Sequence, residues 1–249
     1  MLHSVCRFLD KFLRIEDVED YPNALNGLQL QNDGQVTRIG AAVDASEAVI
    51  EMAISRQTDL LLVHHGLFWG GLTRVTGAQF RKLKRAISAN LAIYSAHLPL
   101  DLHPEVGNNI LLARALQLGA AEPFFLHKGQ QLGVAISVQI DRSELIARLR
   151  EVLGRELWVC PGGTAEVHRV GIVTGGAGGQ IEKAASEGID TFVTGEGPHH
   201  TFSLAEELGM NLIYGGHYAT ETFGVCALAE RIASQFNLSW SFLDHPSGL

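Results

Sequence analysis

Cysteine is scarce and scattered. Cys6, Cys160 and Cys226 are the only three in 249 residues, and none forms a Cys-x-x-Cys pair. An odd, dispersed set excludes a complete disulfide framework and disfavours a cysteine-ligated structural zinc site; three buried thiols in a reducing compartment are expected. Positive charge is also in short supply. Nineteen Lys and Arg against 27 Asp and Glu leave a net charge of −8, which weighs against general nucleic-acid binding. No apolar run approaches the ~20 residues of a membrane span. Asp10, Glu16 and Asp17 arrive before any signal-peptide core develops, so a cytoplasmic protein is expected. There is no Gly-x-Ser-x-Gly elbow and no cysteine beside a histidine, so a nucleophilic triad has no anchor.

What is present is an ordinary apolar fraction of 46%, enough for a real core, arranged as alternating strand and helix signals. Val5, Phe8, Leu9, Phe12 and Leu13 make the apolar stripe of a helix. Leu28–Leu30 reads as a short strand. Arg38–Asp44, a helix from Ser46 to about Arg56, and Leu60–Val63 read as a β-α-β unit. Residues 67–76 read as loop, a basic helix follows over about 77–90, and Leu91–Ser95 is the next strand. A helix is expected at 108–118. The segment 131–159 has a different texture: strand at Leu132–Val138, helix at Ser143–Leu153, strand at Leu157–Val159. The β-α-β pattern restarts at Arg169–Thr174. The domains expected are 1–125, with 240–249 packing back on it, and 126–239, divided near Pro123–Gly129.

Leu60-Leu61-Leu62-Val63 runs straight into His64-His65-Gly66. A short, wholly apolar run fits a strand buried on both faces, whose carboxyl end is where ligands bind in α/β sheets. Adjacent strand residues point to opposite faces. For both histidines to reach one site, the strand is therefore expected to be turning already, helped by Gly66.

The second half restates the first. At an offset of 131, Arg38-Ile39-Gly40 matches Arg169-Val170-Gly171, Asp59 matches Asp190, and His65-Gly66 falls on Glu196-Gly197. At an offset of 120, His97 falls on His217 and Asp101 on Glu221, with one residue dropped near the start of that match. Each half thus carries a strand followed by His-x-x-x-Asp/Glu. The fold class expected is α/β: two similar β-α-β-containing halves facing each other across a metal site. Its candidate ligands are His64, His65, His97, Asp101, His217 and Glu221. Imidazoles with carboxylates suit zinc, manganese, iron or nickel. Their number exceeds what one catalytic zinc takes and fits a two-ion site, with Glu221 able to bridge.

Glu196 is a candidate acid or supporting residue. The second histidine pair, His199-His200, starts an expected helix and is placed at most at the rim. His3, His103, His127, His168 and His245 are taken as ordinary hydrogen-bonded residues. The run Gly175-Gly176-Ala177-Gly178-Gly179 matches neither phosphate-binding pattern, and a tight turn is preferred to a phosphate cradle. The basic cluster from Arg74 to Arg85 is taken as a solvated helix face.

Val63-His64-His65-Gly66, Ser95-Ala96-His97-Leu98-Pro99-Leu100-Asp101, Thr194-Gly195-Glu196 and Gly215-Gly216-His217-Tyr218-x-Thr220-Glu221 resemble the signatures of the Ngg-interacting-factor-like family, also known as GTP cyclohydrolase 1 type 2 homologs or dinuclear-metal-centre hexameric proteins. The resemblance runs from Asn26-Gly27-Leu28-Gln29 over nearly the whole chain and is to the short bacterial form. It implies two divalent ions per subunit, held by His64, His65, Asp101, His217 and Glu221, with His97 as a neighbour. It also implies a toroidal homohexamer. A small-molecule substrate is expected, with no membrane partner for want of a long apolar run and no nucleic-acid partner for want of positive charge. The activity expected is metal-dependent hydrolysis of a nucleotide or related heterocycle, with Glu196 or His97 moving protons. The competing expectation is a non-enzymatic metal-binding hexameric scaffold or regulator.

Overall fold

A computed structural model describes residues 1–71 and 73–249. The chain forms two compact units: residues 1–100 with 224–245, and residues 101–223 with 246–249. Both are α/β.

The first unit opens with α1 (Leu2–Phe12), which buries Leu2, Val5, Cys6 and Leu9. It continues through β1 (Gly27–Leu30), β2 (Arg38–Asp44), α2 (Glu47–Ser55), β3 (Leu60–His65), α3 (Gly77–Ser88) and β4 (Ala92–Ser95). Ser46 caps α2, its hydroxyl accepting from the Val49 N–H at 3.2 Å. The basic face of α3 is tied down: Arg81 and Arg85 both pair with Glu47 on α2. The expected loop of 67–76 precedes α3, apart from Leu72, which lies outside the described residues. The one-turn helix α4 (Leu98–Asp101) leads out of this unit.

The second unit carries α5 (Asn108–Leu116), β5 (Ala121–His127), β6 (Gln130–Asp141), α6 (Arg142–Leu153), β7 (Trp158–Pro161), β8 (Glu166–Ile172), α7 (Ile181–Ser186), β9 (Thr191–Thr194), α8 (Thr201–Leu208), β10 (Asn211–Tyr214) and α9 (His217–Thr220). From Gly224, α10 (Thr222–Phe236) and then β11 (Ser239–Phe242) return to the first unit.

The first sheet runs β1-β4-β3-β2-β11, with only β1 antiparallel to its neighbour. The second runs β5-β6-β8-β9-β10-β7, with β8, β9 and β10 parallel. In β9, Phe192 and Val193 point to opposite faces and enter separate cores. The same burial on both faces makes β3 read as an unbroken apolar run.

These units differ from the division 1–125/126–239. The expected boundary near Pro123–Gly129 falls on β5, which contains Pro123 and lacks alternation. β5 is the edge strand of the second sheet, where a missing N–H is tolerated. Phe125, at φ 70°, is passed over in the pairing with β6, which keeps one register from Phe124–Gly133 to Leu126–Gln131. At the other end, β11 pairs in parallel with β2, and residues 246–249 belong with the second unit.

The internal repeat extends to hydrogen bonds. Ile39 faces Leu60 and Gly40 faces Leu61; Val170 faces Thr191 and Gly171 faces Phe192, all at the 131 offset. Asp59 Oδ2 accepts from the N–H groups of Thr37 and Arg38, and Asp190 Oδ2 from those of His168 and Arg169. Arg38 donates to the Arg56 carbonyl, and Arg169 to that of Glu187. Nearest-strand pairing puts Ala92 opposite Leu60 and Asn211 opposite Thr191, an offset of 119 for the third strand. The histidines that match at 120 are therefore reached through a second-unit loop one residue longer, which holds Gly215-Gly216.

Candidate metal centre

In the first unit, β3 does not turn before its histidines; it stays paired with β2 through His65. The two rings are instead drawn to opposite flanking strands. His64 donates its Nδ1–H to the Ala96 carbonyl just after β4, at 2.9 Å, while His65 donates to Asp44 Oδ1 at the end of β2, at 2.8 Å. A central strand with parallel neighbours on both sides can anchor two adjacent histidines this way. Gly66 serves another purpose than turning: a Cβ there would sit 2.2 Å from the Gln29 amide.

His97, which follows β4, donates Nδ1–H to Asp20 at 2.9 Å, and its own N–H is held by Asn26 Oδ1 at 2.8 Å. One nitrogen from each of His64, His65 and His97 lies within 4.8 Å of the others. With each Nδ1 donating to an oxygen, Nε2 is the nitrogen left for a ligand role, and the carbonyl or carboxylate behind the ring sets its orientation. An ion with bonds of ~2.0–2.1 Å holds two nitrogens at most about 4.2 Å apart, so this group fits a metal with only a small contraction. His97 stands beside the histidine pair, its ring 4.9 Å from that of His64 and 5.7 Å from that of His65.

In the second unit, His217 opens α9 and Glu221 follows it by one turn, the spacing that lets i and i+4 side chains meet. His217 Nε2 lies 3.1 Å from Glu221 Oε2, and its Nδ1–H donates to Glu196 Oε1 at 2.9 Å. Burial opposes protonation of this ring, but hydrogen bonds and charge from Glu221 and then Glu196 outweigh it and raise its pKa from 6.5 to about 9. The glycine run explains how the pair is accommodated. A Cβ on Gly175 would lie 2.3 Å from Glu221 Oε1, and Gly176 faces the same imidazole. Three of the run's N–H groups are engaged within the protein: Gly175 with Thr220 Oγ1, Ala177 with Thr194 Oγ1, and Gly178 with the Glu196 carbonyl. It is a spacer for the His217–Glu221 pair, and the tight-turn expectation is the better description.

Asp101 is buried at the end of α4. Its Oδ1 accepts from Asn108 Nδ2 at 2.8 Å, while Asn109 donates to its carbonyl. His199 and His200 are exposed where α8 begins and join no ligand group among the described residues. His103 is structural, its Nδ1 accepting from the Val106 and Glu105 N–H groups. Asp20 and Asp44 are site residues that pattern reading passed over. Only Asp44, at the end of a strand beside the histidine strand, carried a signal.

The raised His217 pKa makes a signed prediction for metal-free protein. The ring is protonated in both folded and unfolded chains below about pH 6.5, so its pairing with Glu221 and Glu196 contributes fully there. The contribution falls as pH rises and is gone above about 9. Urea midpoints of metal-free wild type and His217→Asn are expected to differ near pH 6 and to converge near pH 10. A constant difference would contradict the assignment.

No helix among the described residues is long and apolar enough to cross a membrane. The profile of the family described as Duf34/NIF3 (NGG1p interacting factor 3) matches residues 1–247. A Deinococcus radiodurans protein named GTP cyclohydrolase 1 type 2 homolog is 44% identical over 99% of this chain and 94% of its own length. One of the same name from Archaeoglobus fulgidus is 37% identical, covering 100% and 99%. A crystal structure from Thermus thermophilus superposes with a TM-score of 0.91 at 40% identity over 99% of both chains. Reduced HcgD from Methanocaldococcus jannaschii does so at 0.87 and 26% identity, covering 98% and 97%. With both the sequence signatures and the full-length fold in agreement, the chain belongs to the Duf34/NIF3 (NGG1p interacting factor 3) family.

Proposed function

We propose that this protein is a dinuclear metal-dependent hydrolase that opens the ring of a nucleotide or related nitrogen heterocycle. The carrying observation is the His64–His65–His97 group, whose nitrogens gather within 4.8 Å while Ala96, Asp44 and Asp20 hold the rings from behind. Two divalent ions (zinc, manganese, iron or nickel) are assigned to His64, His65, Asp101, His217 and Glu221. This choice of ligands is supported by the repeat, which puts histidine and acid after equivalent strands in each unit. Imidazole and carboxylate donors together fit these metals, and neither set alone completes two coordination spheres. When bound, the ions would polarise the substrate and activate water.

The chain's own residues have separate tasks. Asp44 and Asp20 fix the rings of His65 and His97. Glu196, hydrogen-bonded to His217 Nδ1 and partly exposed, is the group proposed to take up and return the proton; His97 is the second candidate. A toroidal hexamer is proposed with this reading. Trp158 on edge strand β7 and Phe202 on α8 are exposed and packed edge to face, an apolar surface suited to a second copy.

The test is turnover by manganese- or zinc-loaded protein across GTP and related heterocycles. Glu196→Gln is expected to lower kcat by about 10²–10⁴-fold with metal content unchanged. Two ions per chain without turnover of any substrate would overturn the hydrolase reading and leave the metal site to a scaffold or regulator.

A further inference from the structure

We infer that Tyr21 and Trp69 form a binding corner for a planar, uncharged nitrogen heterocycle, placed against His65 and His97. The inference rests on the metal-dependent reading for its chemistry and names the ligand class of that same site. Both rings are large apolar surfaces left open, Tyr21 at 49% and Trp69 at 39% exposure. Both also touch the histidine group. Trp69 lies 4.5 Å from the His97 ring and 5.2 Å from His65, and Tyr21 lies 6.0 Å from His97. The two aromatics stand 6.3 Å apart at 77°, so they are not stacked on one another. A flat ring laid on either one lies beside the imidazoles.

The arrangement is built. Gln29 joins the two segments that carry the aromatics: its Oε1 accepts from the Leu67 N–H at 2.7 Å, and its Nε2 donates to the carbonyls of Ala24 and Leu25 at 3.0 Å each. Gly66 leaves the room this amide needs. Gly71, at φ +80°, brings the Trp69 turn to within contact of the Asn23 side chain, two residues from Tyr21. An incidental surface loop requires none of these ties.

Charge narrows the ligand. No lysine or arginine occurs in 20–29, 64–71 or 96–102, and Asp20 and Asp44 are committed to His97 and His65. These segments offer a phosphate no cation. They offer a ring π-faces, and base–aromatic stacking is worth ~1–3 kcal/mol per base, or roughly 5- to 150-fold in affinity.

The test uses metal-loaded, full-length protein titrated with guanosine as probe and ribose as control, followed by calorimetry. Trp69→Ala is expected to weaken guanosine binding by roughly 5- to 150-fold. Trp69→Phe should restore most of it, Tyr21→Ala should show a smaller loss, ribose should not bind, and metal content should stay constant in all three variants. Unchanged guanosine affinity in Trp69→Ala overturns the inference, as does failure of the wild type to bind guanosine. An altered oligomer mass with unaltered guanosine affinity also overturns it and assigns Trp69 to contact with a second copy. Loss of metal in Trp69→Ala overturns it by making the indole a support for the histidines. If guanosine binds as expected while no heterocycle is hydrolysed, the corner stands and the hydrolase reading fails.

Discussion

His64→Ala is expected to release the metal almost completely, with affinity falling by more than ~100-fold. Losing a hydrogen-bond partner behind a ligand histidine costs ~10–100-fold, and removing the ligand itself exceeds that. His64 is fully buried and has one ring edge fixed by the Ala96 carbonyl, so no nearby rotamer substitutes for it. The measurement is metal content by mass spectrometry after equilibration with a competing chelator. Folding needs its own control, because the substitution also leaves a cavity and takes a donor from the Ala96 carbonyl, at a cost of about 1–3 kcal/mol. Comparing metal-free wild type and variant by circular dichroism and melting separates the two losses. Full metal retention in a folded His64→Ala protein would remove this residue from the centre.

The second large effect is expected where no ligand is touched. Gly175→Ala places a methyl group 2.3 Å from Glu221 Oε1, at a backbone position with φ +71°. The left-handed conformation itself costs an L-residue about 1–2 kcal/mol, or roughly 2–8 °C in Tm for a chain of this size. The backbone cannot retreat easily, because the Gly175 carbonyl accepts from the Gly195 and Glu196 N–H groups and the Thr194 hydroxyl. The Glu221 carboxylate must therefore move, and with it the 3.1 Å contact to His217. The expected signature is disproportionate: a melting loss of a few degrees together with a metal-binding loss approaching that of a ligand substitution. Equal metal affinity in wild type and Gly175→Ala would show that Glu221 is no part of the centre.

What the chain disclosed beforehand follows from what is local. Strands β2 and β3, the cap at Ser46 and the 131-residue repeat depend on neighbouring residues or on comparison of two aliphatic patterns, and each was legible. The placing of His64 and His65 at the carboxyl end of β3, and of His217 soon after β10, was legible for the same reason. The residues that aim these side chains were not. Asp20 reaches His97 across 77 positions and Asp44 reaches His65 across 21, so neither forms a motif with its histidine. The expected turn at His64-His65 came from strand alternation alone; anchors on both flanking strands, visible only in three dimensions, make the turn unnecessary. β5 escaped because one proline and one residue with positive φ erase alternation, and an edge strand tolerates both. The third-strand offset shows the same limit. Matching letters put Tyr94 on Tyr214, whereas pairing puts Tyr94 with Ile213.

The return of β11 to β2 also dictates an order of events during synthesis. The strands of the second sheet lie together between Ala121 and Tyr214, so that sheet can close as soon as its own segment has emerged. The first sheet cannot. Until Ser239–Phe242 leave the ribosome, β2 presents a row of unpaired N–H and C=O groups on the side opposite β3, a template for pairing with other nascent chains. The newborn protein therefore passes through a stage in which the strand beside its histidines has one raw edge. Ser239–Phe242 complete the first sheet long after its other four strands were made.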